Sequence, residues 1–205
     1  MNLNYKNSIN NGDGFFFFPE PFVYHYVVPE HIRIKQELQP KLESFYQKHS
    51  QEKKYRWTND SFISSKMCTN FNEASLQKNW YTQEHLQAIV WNSLDELLKK
   101  LNAKTSKCKL SMFWWNVYQK GDSAPMHNHG SFGISGVYLL HLNEANKTVF
   151  FYNTRALLKN DQDLIHYQTD KVAEGTVLLF PSSLNHYVNP AETTRMTISF
   201  NLLLD

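Results

Sequence analysis

From Cys108 onward, short apolar runs alternate with polar positions and are separated by turn residues. This pattern predicts six strands, Lys109–Tyr118, Ile134–Leu142, Thr148–Tyr152, Thr176–Phe180, His186–Asn189 and Thr194–Leu203. No helical period intervenes between them, which points to an antiparallel sandwich or jelly roll and not to a parallel sheet with crossover helices. The first half of the chain has a different rhythm. Leu86, Ile89, Val90, Leu94, Leu97, Leu98 and Leu101 recur at helical spacing and predict a helix from about Gln83 to Leu101. Thr82 suits its N-cap, Glu84 its first turn, and Lys99 with Lys100 its last. Ile32–Lys48 is also helix-like through Leu38, Leu42 and Phe45, but Pro40 inside it predicts a break or kink.

Phe16–Val28 mixes aromatics with Pro19 and Pro21 and reads as an extended edge segment. Residues 50–80 predict loop with short strands, and the Asn- and Gly-rich first fifteen residues a loose arm. The expected organisation is mainly β with flanking helices, in a single domain. Residues 1–105 supply an N-terminal arm and helical support, and residues 106–205 a jelly-roll, cupin-like barrel.

Composition narrows the function classes. Hydrophobic residues make up 41% and charged residues 20% of the chain, enough apolar material for a core and too little charge for a disordered chain. Twenty-one Lys+Arg against nineteen Asp+Glu leave a formal +2 without a dense basic stripe, so no nucleic-acid surface is expected. No window approaches the roughly 18 apolar residues of a membrane span. The Phe15–Phe18 run is too short for a signal sequence. Cys68 and Cys108 are too few for a disulfide framework or a thiolate zinc site, and a cytoplasmic setting is expected. Aromatic residues reach 15%, which suits a β-rich core. Aromatic-rich arms often serve interfaces, which leaves a homodimer open.

The chain has no GxGxxG, Walker A or GxSxG motif. Its chemistry lies in its histidines. His25, His31, His49, His85, His141 and His166 stand alone on surface-like or loop-like positions and read as structural. His127 and His129 form a His-Asn-His triplet, and alternate residues of an extended chain point the same way. His186 opens another strand about sixty residues later, the arrangement with which a jelly roll presents one face of a metal. Arg195 and Thr197 share one face of the last strand, and a fork with a hydroxyl suits a carboxylate. The alternative for Arg195 is a surface ion pair with Glu192. Tyr118 and Tyr138, on strands flanking the triplet, either add a hydroxyl to that carboxylate or fill the core.

The ordered series Trp115-Asn116-x-Tyr118-x-x-Gly121, His127-Asn128-His129, Ser135-Gly136-Val137-Tyr138, Gly175-Thr176-x-x-x-Phe180-Pro181-Ser182, His186-x-Val188-x-Pro190 and Arg195-x-Thr197-x-Ser199-Phe200-Asn201 resembles the iron(II)/2-oxoglutarate-dependent oxygenases. Within them it resembles a small, largely uncharacterised branch of marine bacteria and their phages. The likeness covers about residues 110–205 and extends only loosely to residues 1–105.

It implies a double-stranded β-helix with iron(II) at its mouth, ligated by His127 and His186. Arg195 and Thr197 would hold the distal carboxylate of the co-substrate 2-oxoglutarate, assisted by Tyr118 and Tyr138. The superfamily usually places Asp or Glu where this chain has His129. We expect His129 as a third metal ligand, as in some cupin dioxygenases. A two-His site with an open position, another metal or an inactive site are the alternatives. The implied activity is a dioxygenase of hydroxylase type that oxidises an unidentified small molecule or peptide and releases succinate and CO2. Two other readings are a three-His cupin-like metal protein without a keto acid and a catalytically silent jelly-roll binding module. The loops around residues 50–80, 119–126 and 153–170 are expected to set the substrate.

Overall fold

The computed structural model describes residues 22–56, 67–74, 78–103, 107–142, 149–152, 166–168 and 172–204. The terminal arm, the Phe15–Phe18 run, and most of the loops around 57–66 and 153–165 lie outside the described residues. The described strands are β1 (Tyr24–Val27), β2 (Cys68–Thr69), β3 (Cys108–Tyr118), β4 (Ala124–His127), β5 (Ile134–Leu142), β6 (Val149–Tyr152), β7 (His166–Gln168), β8 (Thr176–Pro181), β9 (Asn185–Val188) and β10 (Arg195–Leu204). Among them, six form a sheet in the order β1-β8-β5-β10-β3-β2 and four a sheet in the order β4-β9-β6-β7. Every pairing between strands is antiparallel. The long strands follow the sequence pattern closely, and β5 spans the expected Ile134–Leu142. The extended segment before Pro29 ends in β1, which lies at an edge of the larger sheet.

Period-two alternation gives the larger sheet two different faces. Phe113, Trp115 and Val117 of β3, with Met196, Ile198, Phe200 and Leu202 of β10, pack into one apolar cluster with the helices. The intervening Trp114, Asn116 and Tyr118, with Arg195, Thr197 and Ser199, turn to the opposite side. Gly136 of β5 is required by this packing: a Cβ there would run into the Phe200 ring on the neighbouring strand. Each large side chain removed from water contributes about 1.5–3 kcal/mol, so the helix-facing side is the main source of stability.

The supporting helix α1 runs unbroken over His31–His49, with Pro40 inside it. The expected break is absent because Ile34, Leu38 and Leu42 are buried on both sides of the proline. Burying two such leucines is worth about the ~3 kcal/mol that an interior proline costs. Pro40 itself is exposed, where water can reach the carbonyl that has lost its donor.

The second helical stretch starts at Gln83 and ends at Leu101, as expected. It consists of α2 (Gln83–Leu86), a π-helical segment (Gln87–Trp91) and α3 (Asn92–Leu101). Ser93 Oγ donates to the carbonyls of Ile89 and Val90 at 2.7 and 2.9 Å, which supports the widened turn. Thr82 caps the start by accepting from the His85 amide, while His85 Nδ1 accepts from the Thr82 amide. His85 is therefore structural, but it is fully buried and not surface-like. Among the described residues no helix is long and apolar enough to cross a membrane.

Candidate metal centre and its cavity

β4 and β9 pair with His127 directly opposite His186. His129 lies two residues further along, where its amide donates to the carbonyl of Ser182 at 2.9 Å. The three rings converge: centroids are 4.3 Å apart for His127–His186, 5.0 Å for His129–His186 and 5.1 Å for His127–His129. One nitrogen from each lies within 4.8 Å of the others.

The hydrogen bonds fix two of the tautomers. His127 Nδ1 lies 2.8 Å from the Pro125 carbonyl and His186 Nδ1 3.0 Å from the Leu184 carbonyl. A carbonyl only accepts, so Nδ1 carries the proton in both rings and Nε2 presents its lone pair. His129 Nε2 and His186 Nε2 are 3.2 Å apart. Two imidazole nitrogens bound roughly 2.1 Å from one ion sit about 3 Å apart, so this spacing is that of neighbouring ligands.

Burial pushes all three imidazoles toward the neutral form that binds metal. Burial comes first for each ring, with mutual repulsion added for His129 and His186. It lowers His127, takes His129 down to about 3, and takes His186 down to about 2. Among the described residues no carboxylate joins this cluster. The cluster therefore presents neutral nitrogen donors, the form of imidazole that binds metal.

The histidines open onto a cavity of about 270 Å³ between the two sheets. Arg195 enters it from β10, 2% exposed, with its guanidinium 5.4 Å from the centre of the Tyr118 ring. Burial lowers the Arg195 pKa, and it pushes the Tyr118 hydroxyl up to about 12 despite the neighbouring guanidinium. Arg195 is thus not on the surface, where the alternative had placed it. Thr197 faces the same cavity two residues on.

Of the residues singled out in the sequence, His127, His129, His186, Arg195, Thr197 and Tyr118 line this one space. Tyr138 does not. It is fully buried on the helix-facing side of β5, where its hydroxyl donates to His31 Nδ1 at 2.7 Å. The expected assistance of Tyr138 to the co-substrate is corrected accordingly: parity along β5 sends Val137 to the cavity and Tyr138 away from it.

Sequence reasoning gave no cavity role to Trp114, Asn116 or Ser199, which also line it. Strand parity carried the signal, since Asn116 and Trp114 lie two and four residues before Tyr118, and Ser199 two after Thr197. Asn116 Nδ2 donates to Thr197 Oγ1 and Ser199 Oγ, both at 3.1 Å. Its Oδ1 is buried without a hydrogen-bond partner among the described residues. An orphaned buried acceptor beside a buried guanidinium marks a space built for a polar ligand.

Residues 112–201 match the model of a family described as "Putative 2OG-Fe(II) oxygenase". The match lies within the barrel, and this part of the chain is similar to that family. No curated sequence matches the chain. Solved structures similar to it include a prolyl-4-hydroxylase from Pseudomonas putida, at 10% identity over 88% of this chain and 91% of that one, with a TM-score of 0.56. AviO1 from Streptomyces viridochromogenes shares 13% identity over 90% of each chain, with a TM-score of 0.61. The α-ketoglutarate-dependent carbocyclase SnoK from nogalamycin biosynthesis shares 8% identity over 90% of this chain and 80% of that one, with a TM-score of 0.63. At these identities the likeness is one of fold, and the fold is the double-stranded β-helix.

The family is described by iron(II) and 2-oxoglutarate, and the residues present fit both. Three converging imidazole nitrogens suit iron(II), with His129 standing where the resemblance leads to the expectation of a carboxylate. The buried guanidinium and hydroxyls at the other end suit a carboxylate.

Proposed function

We propose that the protein is an iron(II)- and 2-oxoglutarate-dependent dioxygenase of hydroxylase type, acting on a C–H bond of a small-molecule or peptide substrate with release of succinate and CO2. The observation that carries this reading is that three neutral imidazoles and a buried Arg195 open onto the same cavity. His127, His129 and His186 hold the iron. Arg195, with the Thr197 hydroxyl and the Tyr118 phenol, receives the distal carboxylate of the keto acid. Iron supplies the activation of oxygen and the oxidation of the substrate.

The chain's own residues bind, orient and exclude water. Arg195 fixes the diacid by one end, so its keto end is directed at the histidines. Trp114 and Phe71, 5.2 Å apart edge-to-face, wall the cavity on an apolar side and keep it dry. Both cysteines are free, in keeping with a cytoplasmic working place.

The test is to incubate the iron-loaded protein aerobically with isotopically labelled 2-oxoglutarate and follow succinate by mass spectrometry. Succinate that depends on protein and iron, and disappears in His186→Ala, is the expected result. Absence of succinate from iron-loaded protein overturns the reading in favour of a three-His metal protein without a keto acid.

A further inference from the structure

Asn128 separates two of the three converging histidines, and its side chain spans the gap to the third. Its Nδ2 donates to Asn185 Oδ1 at 2.8 Å, and Asn185 precedes His186. Its Oδ1 accepts from the Gly130 amide at 3.2 Å and so holds the turn that follows His129. The pairing of His127 with His186 fixes one end of this segment in the β-ladder. Beyond Asn128 that ladder has ended, and the segment is held by single contacts. One is the His129 amide on the Ser182 carbonyl at 2.9 Å. Ser182 is in turn tied by its hydroxyl to Ser135 at 2.9 Å, and Ser135 donates to Asn201 Oδ1 at 2.8 Å.

We propose that Asn128 and Asn185 form a clasp that positions His129 against His186, and that this carboxamide pair is a determinant of metal affinity. The inference rests on the reading that the three histidines hold the metal. Its physical basis is the difference between the ligands. His127 and His186 each have Nδ1 held by a backbone carbonyl and lie on paired strands. His129 is on neither strand. Its nitrogen must nevertheless meet that of His186 at the 3.2 Å spacing of two ligands. The clasp joins the residue before His129 to the residue before His186, so it sets the distance between these two ligands without touching the metal. Groups that orient ligands in this way typically change metal affinity by ~10–100-fold when removed.

Asn128 is exposed and Asn185 half-buried, so the bond between them contributes little to holding the fold. This separates a positioning role from a structural one. The experiment is a double-mutant cycle with Asn128→Ala, Asn185→Ala and the pair, reading cobalt(II) affinity from its ligand-field absorption. The melting temperature of the metal-free proteins is measured alongside. Asn185→Asp is the conservative control, because its carboxylate still accepts from Asn128 Nδ2.

The proposal expects each alanine variant to bind cobalt(II) at least ~10-fold more weakly. It expects the double variant to be no weaker than the worse single variant, as for two residues acting as a unit. Asn185→Asp should retain binding, and all the metal-free melts should stay close to the parent. Unchanged affinity in the alanine variants, additive losses, or losses matched by falls in melting temperature each overturn the clasp. A parent protein that fails to bind cobalt(II), or binds it equally well as His129→Ala, overturns instead the assignment of the metal site.

Discussion

A histidine cluster lies on either side of the larger sheet, and the two are built on opposite principles. On the cavity side, His127, His129 and His186 converge with no carboxylate among the described residues. On the helix side, His31 Nε2 lies 3.1 Å from Glu174 Oε1, and His141 Nδ1 lies 3.3 Å from Glu174 Oε2. Glu174 also accepts from Lys35 and, at 2.7 Å, from the Leu142 amide, while His31 Nδ1 accepts from Tyr138. Lys35 and the Leu142 amide draw the Glu174 pKa below its usual range, with burial opposing them. This second cluster contains its own charges of both signs. The first contains only neutral donors with depressed basicity, and the proposed function completes it with a metal cation.

Exchanging the two clusters in experiment gives the largest predicted contrast. His186→Ala should weaken iron(II) or cobalt(II) binding by at least ~100-fold, more than the loss of an orienting group causes. His31→Ala should leave metal affinity unchanged and lower the melting temperature. Metal titration and thermal melts of both variants check this, and equal effects on metal binding would erase the distinction. Next in size, Glu174→Gln should cost about 1–3 kcal/mol of stability in denaturant unfolding, because it weakens contacts to Lys35, His31 and the Leu142 amide together. Metal affinity should not follow.

Acid should sharpen the same contrast in the metal-free protein. The depressed pKa values of His127, His129 and His186, and of buried His85, mean that the unfolded chain takes up protons first as pH falls. Their folded-state stability is fully present above the unfolded value of about 6.5. It is lost progressively below that pH, down to about 3 for His129 and about 2 for His186. Denaturant unfolding of the metal-free protein between neutral pH and pH 4 should show this decline, and His129→Gln should make it shallower. The smallest predicted difference separates the two tyrosines. Tyr118→Phe should weaken 2-oxoglutarate binding several-fold. Tyr138→Phe should leave it untouched and cost about 1 kcal/mol through the hydrogen bond lost to His31. Calorimetric titration and melts read both.

The tyrosines also show how far the sequence could be read. Each stands on a strand beside the triplet at nearly equal spacing, and spacing alone does not reveal which face of a sheet a residue joins. Parity against Gly136 and Phe200 decides it, and that register becomes visible only when β5 is paired with β10. Long strands such as β5 and β10 were legible because alternation over nine or ten residues is a strong signal. β2 and β4, with two and four residues, are too short to show a period. Pro40 was read by its local preference, which the burial of Ile34, Leu38 and Leu42 overrides. His85 looked isolated because its partner, Glu37, lies 48 residues away, with Oε2 2.8 Å from Nε2. The cluster of His127, His129 and His186 was legible for the opposite reason. An HxH pair and one distant strand-borne histidine are local patterns, and only their convergence needed the fold.

The most direct test of a shared site for metal and keto acid is anaerobic titration of 2-oxoglutarate into the iron(II)-loaded protein, following the charge-transfer absorption of the chelate. The account predicts that the band develops to one equivalent and that its midpoint shifts at least ~100-fold in Arg195→Ala, as expected when a buried charged partner of a carboxylate is removed. A protein that binds iron(II) but gives no band, or an Arg195→Ala variant with an unchanged midpoint, would contradict it.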